Sequence, residues 1–231
     1  MDTLELFEEK MLNFLTVMLG KCEVEYRFDS AIRFSKKVGD RTFVLQISVH
    51  DGNYKYVALT NILLIPSMKK KGVSFAIINF LLQICNENGY DLYITEIAND
   101  SWKDSLVKHG GIIDNDGDVV INSQYWKPSN GHKKIKFVEF EDELILESEL
   151  EWYSNLKEQC IKEVKNIFTI WNAEIEVKVI DKKVKQIFAT KENVTYFVKF
   201  QYPYITKMEE LIKNNQLEVY IKENQFISDL W

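Results

Sequence analysis

The sequence predicts a mixed α/β chain, α+β in its local arrangement: a larger half with a mixed sheet flanked by helices, then a smaller α+β half. Three observations lead there. Segments with helical spacing alternate with short apolar segments of strand character along all 231 residues. The stretch Ile62–Ile78 reads as an apolar strand, a break at Pro66, a basic loop with one glycine, and a helix apolar from its first turn. The second half then repeats the order helix, strand, hairpin, helix, strand. With 46% hydrophobic and 13% aromatic residues, each half has material for a core.

Leu4, Phe7, Met11, Phe14, Leu15 and Met18 recur at helical spacing before Gly20, which predicts a first helix over about 3–19. Residues 23–28 alternate like a half-buried strand. Residues 32–37 and 41–50 flank Val38-Gly39-Asp40 as a hairpin. After the turn Asp51-Gly52-Asn53, residues 54–65 form one long strand or two joined by a bend. A second helix runs from about Ser74 to Asn88, with Ile77, Ile78, Leu81, Leu82 and Cys85 on one face and Asn88-Gly89 as its stop. Residues 91–97 return as a strand and 101–108 as a short helix ended by Gly110-Gly111. Ile112-Ile113 and Val119–Ile121 face each other across Asp114-Asn115-Asp116-Gly117-Asp118.

Pro128-Ser129-Asn130-Gly131 reads as a linker, so the expected domains are 1–127 and 133–231. Beyond it come a strand over 135–140, an acidic run Glu139–Glu151 that reads as a solvated face plus a helix start, and a helix through Leu150, Tyr153, Leu156, Cys160, Val164 and Phe168. A strand over 174–179, a hairpin from 186–190 and 195–201, a helix over 207–215 and a final strand over 217–221 complete the chain. Glu23-Val24-Glu25 matches Glu174-Ile175-Glu176, Thr42–Val44 matches Thr195–Phe197, and Asn88–Ile94 matches Asn215–Ile221. The pattern suggests a diverged repeat that carries the Pro66–Ser74 loop once only.

A net charge of −6 argues against a general nucleic-acid binder. Cys22, Cys85 and Cys160 are isolated within apolar patterns, as buried thiols in a reducing compartment are. His50, His109 and His132 form no ligand-spaced pair, so no metal is expected. Met1-Asp2-Thr3-Leu4 opens without a secretory pattern, and no stretch is apolar for a membrane's width. The expectation is a cytoplasmic protein with no membrane partner.

A strand that feeds a short glycine loop into a helix start gathers unpaired backbone N–H groups at the positive end of the helix dipole. Lys69, Lys70 and Lys71 surround that point. The residues Lys69-Lys70-Lys71-Gly72-Val73-Ser74 resemble the Arg/Gln-x-x-Gly-x-Gly/Ala signature of the GCN5-related N-acetyltransferases. Ile65-Pro66 before it, Asn99 after the next strand, and Leu106-Val107-Lys108-His109-Gly110-Gly111 in place of Tyr-Glu-Lys-Leu-Gly-Phe extend the likeness over about residues 1–125. The resemblance implies a splayed sheet with helices on both faces. Acetyl-CoA would be the co-substrate, and an amine or protein acceptor of unknown identity its partner. By the same resemblance Lys69, Lys70, Lys71, Gly72, Val73 and Ser74 would hold the pyrophosphate, Leu64 and Ile65 would flank the pantetheine arm, and Asn99 would lie near its far end.

Lys69 and Ser74 depart from the signature, and Leu106 replaces the tyrosine that commonly protonates the leaving thiolate. Positioning an amine beside the thioester supplies much of the rate without that acid. Glu96 is the candidate base, through a water, or a solvent-facing carboxylate. His109 is a candidate acid or base, or an exposed turn residue. Trp102 covers the cofactor cleft or packs in the core. These residues leave three readings: an acetyl-CoA-dependent N-acyltransferase, a non-catalytic protein of the same fold that binds coenzyme A or a protein, and an unrelated α+β fold with a merely basic turn.

Overall fold

The structure is a computed structural model that describes residues 2–28, 30–127, 135–180, 183–223 and 225–227. It is mixed α/β and divides into two compact units, 1–146 and 147–231.

The first unit opens with α1 (Thr3–Leu19), whose start is fixed by a capping box. Asp2 accepts from Leu4 N–H at 3.3 Å, and Glu5 accepts from Asp2 N–H at 3.2 Å. There follow β1 (Glu23–Phe28), β2 (Ala31–Val38), β3 (Arg41–Asp51) and β4 (Lys55–Leu63). A 3-10 turn (Pro66–Met68) leads to α2 (Val73–Asn88), then β5 (Asp91–Ile94), α3 (Asp100–Lys108), β6 (Ile112–Ile113) and β7 (Val119–Ile121). The hairpin β8 (Phe137–Phe140) and β9 (Glu143–Leu146) completes the unit.

The seven-stranded sheet has the order β1-β2-β3-β4-β5-β7-β6, and among its described strands the one parallel pair is β4–β5. Helix α2 makes the crossover that a parallel pair requires. Alternation decides the faces. Phe43, Leu45, Ile47, Val57, Leu59, Leu92, Ile94, Val119 and Ile121 turn inward and share one core with Phe7, Met11 and Leu15 of α1 and Ile77, Ile78, Leu81 and Cys85 of α2. Helices α1 and α2 lie side by side, with Phe14 stacked on Phe80 at 4.2 Å and Lys10 Nζ 2.7 Å from Glu87. Leu106 of α3 enters the same core, so α1, α2 and α3 of this unit gather on one face of its sheet rather than on both. The other face carries Ser48, His50, Tyr56, Thr60 and Tyr93, residues that tolerate water.

The strand over 91–97 is shorter than expected: β5 ends at Ile94, and Glu96 takes a left-handed φ of +55°. The acidic run is also corrected. The solvated reading fails at Glu143, which is only 4% exposed; Glu139 pairs with the buried Lys36 from β8 but is itself exposed, as are Glu147 and Glu151. Glu141 and Asp142 are both left-handed, at φ +53° and +64°, as a two-residue hairpin turn requires. That hairpin lies in the first unit, which therefore reaches Leu146; the residues read as a linker fall outside the described ones.

The second unit has α4 (Leu150–Ile170), β10 (Glu174–Ile180), β11 (Lys183–Lys191), β12 (Val194–Lys199), α5 (Tyr204–Lys213), α6 (Leu217–Glu223) and β13 (Gln225–Ile227). Its sheet is antiparallel in the order β10-β11-β12-β13. Tyr153, Cys160, Val164 and Phe168 of α4 are buried, as their spacing predicts. The final strand over 217–221 is instead helix α6, so the match of Asn88–Ile94 to Asn215–Ile221 pairs a strand with a helix.

Candidate functional site

The strands β4 and β5 pair only from Tyr56–Asp91 to Leu59–Ile94, with one further bond from Thr95 N–H to Leu59 O at 3.1 Å. Beyond that point β4 continues to Leu63 beside β3 while the other chain leaves the sheet. Thr60 marks the departure: the β3–β4 register shifts there, and its hydroxyl donates to Gln46 O at 3.3 Å.

From β4 the chain runs through half-buried Leu64 and buried Ile65 into the 3-10 turn, where Pro66 fixes the bend. Lys69 and Lys70 are exposed, and Lys70 has a φ of +61°. Gly72 caps α2 in the left-handed region at φ +78°, a conformation that favours glycine. Ala76 N–H is the first in the helix to reach an intrahelical acceptor, Gly72 O at 3.0 Å. The N–H groups of Val73, Ser74 and Phe75 therefore precede the ladder at the positive end of α2. Val73 buries its side chain, and Ser74 is half-exposed. Two features near this loop carry no signal in the sequence. Ser67 is 2% exposed, and its Oγ has no hydrogen-bond partner. A Cβ on Gly72 would stand 3.6 Å from Ile135 Cδ1, and β9 packs against the 3-10 turn.

Asn99 caps α3, its side-chain oxygen accepting from Trp102 N–H at 3.0 Å. That oxygen is spent on the helix start. Glu96 is exposed, off the strand, and its backbone N–H bonds the Asp118 carboxylate. His109 is half-buried rather than an open turn residue. Its Nδ1 lies 2.7 Å from Ser105 O, and its ring sits 4.5 Å from Phe75 and 6.2 Å from Trp126. Glu96 and His109 lie beyond opposite ends of α3, and a helix of its length spans roughly 13 Å. They do not converge, whereas His109 does meet the first turn of α2. Leu106 is fully buried and Trp102 half-buried, with its indole N–H unbonded.

On the opposite face a cleft of about 410 Å³ lies over β3, β4 and β5, and sequence reasoning does not assemble it. His50, Tyr54, Tyr56 and Tyr93 form its aromatic wall, and Asp114, Asp116 and Asp118 of the β6–β7 loop form its acidic side. Tyr54 O–H donates to Asp91 at 2.6 Å and lies 2.8 Å from Tyr93 Oη; these bonds push the Tyr54 phenol well above its ordinary range. Desolvation, then Asp114 and Asp116, raise Asp118 above the usual carboxylate value. Among the described residues no three His, Cys, Asp or Glu side chains are grouped as a metal site requires. Among the same residues no helix is long and apolar enough to cross a membrane. No protein-family model matches the sequence, and a search of curated proteins finds no match.

Proposed function

We propose that the first unit binds a coenzyme A thioester, acetyl-CoA foremost, and passes its acyl group to an amine, as the GCN5-related N-acetyltransferases do. One observation carries this reading. The parallel pair in the sheet opens beyond Leu59 and Ile94, and the chain leaving β4 there turns through Gly72 into the N-terminus of α2. The opening suits an extended thiol-bearing arm, with Leu64 along it and Ile65 offering backbone only. The N–H groups of Val73, Ser74 and Phe75, with Lys69, Lys70 and Lys71 around them, suit a pyrophosphate.

The chemistry asked of the protein is small. The amine lone pair attacks the thioester carbonyl, the C–S bond breaks, coenzyme A leaves as thiolate, and the amine's proton passes to water. With Leu106 buried, no side chain stands at that position to protonate the thiolate, so rate comes from placing amine and thioester together. Asn99 contributes by fixing α3. Glu96 and His109 are not proposed as an acid–base pair, because they flank α3 from opposite ends.

A second reading, coenzyme A binding without transfer, is favoured by Leu106 and by the His109 ring, held by Ser105 and Phe75. The second unit is proposed as a diverged copy on the order α4-β10-β11-β12, which repeats α1-β1-β2-β3.

The test is calorimetry with acetyl-CoA on the wild-type chain and on Ser74→Glu. A glutamate in the first helical turn suits the dipole, so the fold holds while the anion is repelled. Micromolar binding lost in Ser74→Glu supports the site; equal binding by both, or none, overturns it. Release of coenzyme A over an amine panel then separates transfer from binding alone.

A further inference from the structure

The cleft on the open face of the sheet has a composition that the coenzyme A reading does not use. Tyr93 stands nearly at right angles to both its neighbours: 69° to Tyr56 with centroids 5.5 Å apart, and 79° to Tyr54 with centroids 6.5 Å apart. His50 backs Tyr56 at 4.3 Å and 13°, which keeps that ring upright. The hydroxyls of Tyr54 and Tyr93 are engaged with each other, and Tyr54 with Asp91, so a guest meets mainly ring surface. Rings set at right angles offer a corner lined with negative π density.

Opposite that corner, the β6–β7 loop is held in one shape. Asp114 Oδ1 accepts from Asp116 N–H at 3.0 Å and from Asp118 N–H at 2.9 Å, and Lys103 Nζ bonds Gly117 O. Three carboxylates stand against the one ammonium of Lys103, which is engaged with Gly117 O, so the side facing the rings keeps a negative balance. The aspartates do not converge as a metal site would. Aromatic faces on one side and unconverged carboxylates on the other select a cation that is large, weakly hydrated and rich in carbon.

We infer that this cleft binds a small organic cation, an alkylated ammonium, with its carbon substituents against Tyr54, Tyr56 and Tyr93 and its charge toward Asp114, Asp116 and Asp118. A volume of about 410 Å³ fits a small molecule rather than a chain segment. The inference stands apart from the coenzyme A reading and needs no acyl donor.

Choline and 3,3-dimethylbutan-1-ol have the same shape and differ in charge, so titrating the full chain with each by calorimetry tests it. The expected result is choline binding at about 1 mM or tighter, with the neutral alcohol about tenfold weaker. Tyr56→Leu and Asp116→Asn should each weaken choline about fivefold, with thermal unfolding unchanged. Equal binding of the alcohol, no binding of choline, choline binding indifferent to both substitutions, or heat from calcium alone would each overturn the proposal. A variant that unfolds early is replaced by Tyr54→Leu, whose ring is half-exposed and outside the core.

Discussion

Arg41 Nη1 lies 3.1 Å from Glu143 Oε2 and 3.4 Å from Oε1, a fork that joins the start of β3 to β9 across 102 residues of sequence. Glu143 is almost wholly buried, so the Arg41 guanidinium offsets part of the cost of keeping its carboxyl out of water. Arg41→Met should cost about 3 kcal/mol in urea unfolding, because a carboxylate would be left without its guanidinium. Arg41→Met with Glu143→Met should recover most of that loss. A single substitution as mild as the double one would show that the pair contributes nothing.

Glycines 110 and 89 both have positive φ, at +99° and +73°, but only one is crowded. A Cβ on Gly110 would fall 2.0 Å from Tyr125 O, where no shift of a flexible side chain relieves it, while one on Gly89 meets nothing within 4 Å. Gly110→Ala should destabilise by more than about 3 kcal/mol and Gly89→Ala by about 1 kcal/mol. Equal midpoints in urea for the two variants would contradict the packing of that turn.

Burial pushes the thiol of Cys22 up to about 11 and those of Cys85 and Cys160 up to about 12, against an ordinary 9.0. At pH 8 the folded chain should resist a thiol reagent and release all three only as denaturant unfolds it. Linkage gives the sign with pH. Above pH 9.0 the unfolded chain loses these protons first, so stability falls as pH rises toward 11. Fast labelling of the native protein would rule out this placement of the thiols.

Asp118 carries the opposite kind of cost to a paired carboxylate. Its raised value means that holding it ionised is unfavourable in the folded state at neutral pH, and that the cost disappears as pH falls through that value toward 3.8. Asp118→Asn should therefore raise the melting temperature at pH 7, and the gain should shrink on acidification. A gain that persists at low pH would point to a cause other than charge.

Much of the fold is legible along the chain because local chemistry agrees with it. The capping box at Asp2 and Glu5, the stripe through α4, and Gly89 after α2 each announce an element on their own. Failures occur where the deciding contact is distant or the segment is short. In 217–221, Leu217 and Ile221 are buried four residues apart while Val219 is exposed, a helical spacing that an alternating five-residue string also satisfies. Glu143 reads as solvated until Arg41 is known to face it. Glu141-Asp142 turns a hairpin with neither glycine nor asparagine to signal it. The loop from Lys69 to Ser74 is visible because its residues are contiguous. The cleft is not, since Tyr54, Tyr93 and Asp116 meet only through sheet pairing.

The contact between β9 and the Pro66–Met68 turn bears on where the chain tolerates being cut. A fragment stopped at Lys127 would lose Phe137 and Leu144 from its core, strip the cover from the turn before α2, and leave Lys36 and Arg41 without their carboxylates. Such a piece should aggregate or succumb to protease, whereas one that ends at Leu146 should survive as a soluble body. The hairpin of β8 and β9 thus acts as the closing clasp of the first unit.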